Sequence, residues 1–356
     1  MPDRAEGGEA AGAVLKIFPQ KDVPVRAPSL AFIAALLLSA TSFAQSLPPQ
    51  EPIPVKASQI ENFKISSDQK IFGKLEFIGG IEMSSSNALL GAVSGIRFRP
   101  DGRSFVAVMD TGHWLEGRIE RDAKGRLSGI SDLIGTSMMD SKGRAEQVKN
   151  RMDAESLAFR DGEVLVSYEG YHRVDAYPDP GFAQSKPLRS IPFLIPVAGL
   201  KSNRSFETLA VAPKSSPLAG APVVIAEASF DKSNHLYAAV LDGPRKGLFG
   251  VAENDPFAVT DGAFLPNGDL LILERRFGFA QGIGMEIRRI PGDSIKPGAV
   301  VDGEVLLQAD MGYQIDNMEG MDVIVMPDGD IRIIIVSDDN HSILERNLML
   351  EFRLLQ

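Results

Sequence analysis

Carboxylates recur at matching places along this chain. An acid opens a short apolar run in "AESLAF" (Glu155), "FETLAV" (Glu207), "TDGAFL" (Asp261) and "MEGMDV" (Glu319), with Ser94 in the equivalent "SGIRF". An acid also closes the runs "FVAVMD" (Asp110), "VLVSYE" (Glu169), "PVVIAE" (Glu227), "LLILE" (Glu274) and "IIIVSD" (Asp338). Asp339 and Asn340 add two oxygen-bearing side chains after the last of these. Carboxylates gathered in one place repel one another and are pushed toward the neutral form unless a cation neutralises them. Calcium suits such a set, because it takes six to eight oxygens in flexible geometry. The predicted metal ligands are Asp110, Glu155, Glu207, Asp261, Glu274, Glu319, Asp338, Asp339 and Asn340, and the expected cofactor is Ca2+. Acids at strand ends also cap turns and pair with arginine, but those roles would not select the same end of every hairpin.

Basic and imidazole groups stand close by. Arg275 and Arg276 follow Glu274, Arg173 follows His172 just after Glu169, and Arg204 precedes Glu207. Guanidinium groups grip phosphate or carboxylate bidentately and equally serve as ion-pair partners for an acidic ring. Glu155, Arg275, Arg276, His172 and His341 are the predicted catalytic set, with the histidines as general acid or base candidates. Arg173 and Arg204 are the predicted substrate contacts.

These residues need a scaffold that repeats. "SGIRFRPDGRSFVAVMD", "AESLAFRDGEVLVSYE", "FETLAVAPKSSPLAGAPVVIAE", "TDGAFLPNGDLLILE" and "MEGMDVIVMPDGDIRIIIVSDD" align as five copies of strand, turn and strand, spaced by roughly 50–60 residues. Asp101-Gly102, Asp161-Gly162, Asn267-Gly268 and Asp328-Gly329 are hairpin turn pairs favoured where both residues need positive φ. No long stretch keeps a helical period, so the chain reads as all-β. Units of this length match the blades of a β-propeller: five are visible, or six if one is too degenerate to align. The strand "GKLEFIGGIEM" before the first unit would pair into the short last unit, closing the ring and removing exposed sheet edges. In an antiparallel hairpin the start of one strand lies beside the end of the next. Every blade therefore presents its acids on one face, around the channel mouth if the first strand is innermost.

Composition narrows the partners. With Lys+Arg 37 against Asp+Glu 47, the net charge of −10 opposes nucleic-acid binding. Cysteine is absent, which excludes cysteine-ligated zinc and iron–sulfur centres. "RAPSLAFIAALLLSATSFAQS" has the layout of a secretory signal with cleavage after Ala44, and its apolar run is too short for a stable membrane span. The expected organisation is a signal peptide over 1–44, a Pro-rich linker over 45–70 and one propeller domain over 71–356, in a periplasmic or secreted protein. No H-E-x-x-H, P-loop or G-x-S-x-G motif occurs.

From Lys74 to Leu354 the chain resembles the phytase-like family, described as having an esterase-like activity of the phytase type. The resemblance rests on "SGIRFRPDGRSFVAVMDTG", "DAESLAF", "NRSFETLAV", "DGAFLPNGDLLILERRF", "NMEGMDV" and "VSDDN", in that order, before a final "LMLEFRL". It implies a propeller, export, and calcium-assisted hydrolysis of phosphate esters. By motif it marks Asp110, Asp153, Glu155, Asn203, Glu207, Asp261, Glu274, Arg275, Asn317, Glu319, Asp338, Asp339 and Asn340, with Asn203 a substrate contact. Lysine is scarce near these motifs, so Arg173, Arg275, Arg276 and the metal would hold an anionic substrate.

Three functions follow. The first is an exported calcium-dependent ester hydrolase acting on a small phosphoric or carboxylic ester, with the metal activating water and the arginines stabilising developing charge. The second is a lactonase-type propeller with a single metal among Glu155, Asn203, Asn317 and Asp338. The third is a binding propeller in which calcium only braces the channel.

Overall fold

The computed structural model describes residues 47–145, 149–202, 204–278 and 282–355. The predicted signal segment and Asn203 lie outside the described residues. Among the described residues, no helix is long and apolar enough to cross a membrane.

Five sheets make up the structure, one for each unit read from the sequence, and they are antiparallel except where Val300–Val301 joins Gly247–Ala252 in parallel at the edge of the third. Their innermost strands are Val93–Phe98, Ala154–Arg160, Phe206–Val211, Ala258–Phe264 and Asn317–Val325. Each packs on the next, and the last packs back on the first, so the five surround a common axis as the blades of a propeller. Each sheet is itself an open run of strands. In the fifth, Leu75–Ser84 pairs antiparallel with Asn347–Leu354, and Lys56–Ile60 pairs on its other side. Gln50–Pro52 joins the outer strand Leu127–Ser137 of the first blade. Eight residues of the stretch expected to be a linker, in Gln50–Pro52 and Lys56–Ile60, are thus strand.

The core lies between blades and explains why the second strands read as unbroken apolar runs. Both faces of such a strand are covered, so alternation with polar residues disappears. In Ile331–Asp338, Ile333 and Ile335 pack against the fourth blade, while Ile334 and Val336 pack against the first. Val106 and Val108 likewise face the second blade, and Phe105, Ala107 and Met109 face the fifth. Burying each Ile or Val contributes about 1.5–3 kcal/mol, and the arrangement repeats at all five interfaces.

The turns differ from expectation in one respect. Only Asp161-Gly162 has positive φ at both residues, 39° and 81°, in a two-residue hairpin. At the other three pairs only the glycine does, with φ between 64° and 94°, and the acid or amide side chain instead accepts a backbone N–H two residues on. These longer loops turn on a side-chain bond and one left-handed glycine rather than on two.

Candidate functional site

One irregularity builds the site. Each innermost strand carries a β-bulge near its start, where two of its residues face one on the second strand. The extra residues are Ser94, Glu155, Glu207, Thr260 and Glu319. A bulge re-aims the side chain it carries, and here it does so at the same level in all five blades. Next to the bulges, on or just past the second strands, Asp110, Glu169, Glu227, Arg275 and Asp338 hold one common register position. Two aligned rings result, rich in carboxylates in every blade but the fourth.

The fourth blade departs from the sequence reading by one residue on each strand. Thr260 and Arg275 hold the ring positions expected for Asp261 and Glu274. Glu274 points to the other side of its strand, where its carboxylate takes two bonds from Arg288, at 2.6 and 2.7 Å. Asp261 points down the channel and pairs with Arg97 through two bonds of 2.8 and 2.9 Å. Both acids are already neutralised by a buried guanidinium, so the arrangement gives them to the scaffold rather than to a metal.

Arg97 was not singled out from sequence, yet it forms the floor beneath the mouth. Its guanidinium also donates to the carbonyls of Met321, Leu209 and Gly262, at 2.7, 2.9 and 2.9 Å. Asp261 in turn accepts from Ser156 Oγ at 2.9 Å and from Met321 N at 2.9 Å. The pair thereby touches all five innermost strands. Burial alone would lower the Arg97 guanidinium, but Asp261 and then Asp322 hold it above its ordinary value. A charge at the third position of an apolar "GIRF" strand was the signal in the sequence.

Above this floor the carboxylates crowd together. Asp153, Glu155 and Glu169 each bring an oxygen within 4.8 Å of the others, and all three are buried. Burial first, then Asp153, Glu169, Glu319 and Asp110, push Glu155 well above the usual carboxylate range. Glu207 is raised in the same way, by burial and then by Glu155, Glu227, Glu169 and Glu319. Burial lifts Glu169 to about 7, with the Ser205 N–H opposing and Asp153 adding to the rise. Glu319 also reaches about 7, because burial outweighs the nearby Arg275. Burial raises Glu227 too, against Arg275, Arg204 and Lys201. Arg275 is the cation of the ring, with Nη2 3.2 Å from Glu319 Oε1. Burial would lower it, but Glu319, Glu227, Glu207 and Glu155 raise it.

The fifth-blade corner divides. Asp338 sits in the ring and is lifted to about 6, chiefly by burial, while its Oδ1 accepts from Ala92 N at 2.5 Å and Asn340 N at 2.8 Å. Asp339 accepts from His341 N at 3.0 Å and Asn347 Nδ2 at 2.6 Å, and the Asn340 amide donates to Glu345 at 2.9 Å. Asn340 and His341 occupy left-handed backbone, with φ of 47° and 54°. Asp339 and Asn340 therefore close a turn, and among the described residues a close acidic group lies instead in the second blade. Asn317 donates to Glu319 Oε1 at 2.7 Å.

The remaining predicted residues fall at different distances from the mouth. His172 is half-buried on Phe206, held below its usual value by burial, with Nδ1 unpartnered among the described residues. His341 is exposed in the turn. Arg276 alternates to the face opposite Arg275 and stacks 5.3 Å from the Phe257 ring centre. Arg204 is exposed at the rim, close enough to oppose the rise of Glu169 and Glu227. Arg173 lies 3.6 Å over the Tyr168 ring and bonds Asp175 at 2.8 Å, outside the ring itself.

Fold and site together define a five-bladed propeller with a crowded, acidic mouth. The family pattern described as phytase-like, "esterase-like activity of phytase", matches residues 88–341, and the chain belongs to that family. No curated protein matches significantly. Similar solved structures include a calcium-binding protein, regucalcin, from Agrobacterium tumefaciens, at 11% identity over 74% of this chain and 91% of that one, TM-score 0.40. A PQQ-bound aldose sugar dehydrogenase from Streptomyces coelicolor is similar at 12% identity over 85% and 99%, TM-score 0.38. A putative glucose dehydrogenase from Thermus thermophilus is similar at 14% over 84% and 99%, TM-score 0.34.

Proposed function

We propose that the chain is a metal-dependent ester hydrolase, exported as its N-terminal segment suggests, that acts on small phosphoric esters at the mouth of the propeller. The observation that carries this reading is the buried group Asp153, Glu155 and Glu169, whose oxygens lie within 4.8 Å of one another. Buried like charges this close are stable as anions only beside a cation. Hard oxygen donors fit calcium, and Asp153, Glu155 and Glu169 would hold it, with Glu207 adjacent. Such an ion supplies Lewis acidity toward the ester and toward water.

The chain's own groups supply the rest. Arg275, fixed against Glu319, directs a guanidinium at the ring and would stabilise charge on the non-bridging oxygens of the ester. Glu319, held by Arg275 and Asn317, is positioned to take or return a proton at its free oxygen. The Arg97–Asp261 floor blocks passage down the channel, so substrate enters and product leaves by the mouth.

The test is a calcium titration read by thermal stability, joined to assays on p-nitrophenyl phosphate, p-nitrophenyl acetate and a simple lactone, each with and without chelator. Calcium-dependent turnover of the phosphate ester is the expected result. Turnover of the lactone alone would replace the substrate class, and stabilisation with no turnover would make the ion a brace for a binding propeller. No metal effect on either readout would remove the reading.

A further inference from the structure

Apolar exposure is not spread evenly over this surface. Six large apolar side chains, Tyr171, Val197, Phe277, Met311, Ile343 and Leu344, are between 61% and 100% exposed, and every other one among the described residues is 60% exposed or less. All six stand at the mouth end. Tyr171 lies in the turn after the second strand of the second blade, and Ile343 and Leu344 lie in the corresponding turn of the fifth. Phe277 is two residues past Arg275 in the fourth blade. Val197 and Met311 lie in the segments that lead from the outermost strands Arg189–Ile191 and Glu304–Asp310 to the innermost strand of the next blade.

Clustered exposed apolar groups mark an interaction surface. These six sit on five separate loops around an acidic centre. A rigid partner would have to match the placement of all five loops, whereas a fluid lipid surface takes each tip independently and seats a tyrosine ring at the headgroup level. Charge narrows the partner further. Two copies meeting mouth to mouth would set the crowded Glu155, Glu207 and Glu319 against their own kind. An anionic surface would meet a chain of net charge −10. A zwitterionic phospholipid instead offers ammonium groups to those acids, and phosphates to Lys201 and Arg204, which follow Val197 in the same segment and are exposed.

We infer that the mouth face docks on a zwitterionic phospholipid surface, with these six side chains inserted into its interfacial layer. The channel mouth then opens directly onto the lipid. Docking requires no turnover, so it stands or falls apart from the proposed chemistry.

The full chain is sedimented with phosphatidylcholine vesicles and, separately, with phosphatidylglycerol vesicles, both in excess chelator. Wild type is compared with the double variant Ile343→Ser, Leu344→Ser, whose side chains are 100% and 87% exposed and contribute little to the fold. Val325→Ser is the control, because Val325 is 54% exposed at the end of its strand opposite the mouth. Ultracentrifugation without vesicles reads the oligomeric state of each protein. Wild type and Val325→Ser are expected to bind phosphatidylcholine alike, and more tightly than phosphatidylglycerol. The double variant should bind phosphatidylcholine at least about 10-fold more weakly, because two large apolar side chains no longer leave water. No binding to either vesicle, equal weakening in both variants, or tighter binding to phosphatidylglycerol overturns the inference. A vesicle-free dimer that the double variant abolishes also overturns it, and gives the face to a second copy of the chain.

Discussion

Two layers of the same channel, one residue apart along the innermost strands, treat acid in opposite ways. In the lower layer Asp261 is 0% exposed and fully matched: one guanidinium, one hydroxyl and two backbone N–H groups satisfy it. In the upper layer Glu155, Glu207 and Glu319 crowd together with Glu169, Glu227 and Asp338, and Arg275 answers only part of that charge. A scaffold alone gains nothing from the second arrangement. Paired acid at the floor ties the blades to one another, and crowded acid at the mouth is costly unless it takes up protons or a cation.

Breaking the lower layer should give the largest effect. Arg97→Met leaves Asp261 buried without its partner, and the expected loss is about 3–5 kcal/mol of stability, read by chemical denaturation. Replacing a mouth acid should do the reverse in chelator: Glu155→Gln relieves repulsion and leaves the fold as stable as wild type or more so, while calcium no longer stabilises it. Arg275→Gln should lower turnover by about 10²–10³-fold with little change in fold, as loss of a charge-stabilising donor does.

The mouth acids should also respond to pH. Glu169 and Glu319 titrate near 7 in the folded chain, above the usual 4.5 for glutamate. The folded state therefore binds more protons than the unfolded state between those values, so stability in chelator is greatest below about pH 4.5 and falls until about pH 7. Saturating calcium should flatten or reverse that slope, which thermal unfolding across pH 5 to 8 with and without the ion will show. A slope that calcium does not alter would detach the mouth acids from metal binding.

How far these layers could be read in advance depended on the type of signal. The five units were legible because unbroken apolar runs and Gly-containing turns mark hairpins buried on both sides. The common face of the acids followed from antiparallel pairing alone. What failed was register: a bulge adds one residue and flips every side chain after it, and nothing in "TDGAFL" differs visibly from "AESLAF". By sequence alone Asp261 and Glu274 align with Glu155 and Glu169, whereas the register puts Thr260 and Arg275 in the ring. "SDDN" misled for another reason, since a run of oxygens that closes its own turn has the same composition as one that binds an ion.

That corner gives the smallest predicted effect. Asn340→Gly keeps the left-handed backbone and loses one exposed bond to Glu345, so stability should change by less than about 1 kcal/mol and calcium affinity not at all.

The central claim is that the upper layer is a protonated, cation-seeking set of acids. Calcium titrated into the protein at pH 7 by calorimetry, in buffers of differing ionisation enthalpy, measures binding and proton release together. Binding that releases protons, and that disappears in Glu155→Gln but survives Asp339→Asn, is the predicted result. No binding, or binding without proton release that depends on Asp339 rather than Glu155, would contradict it.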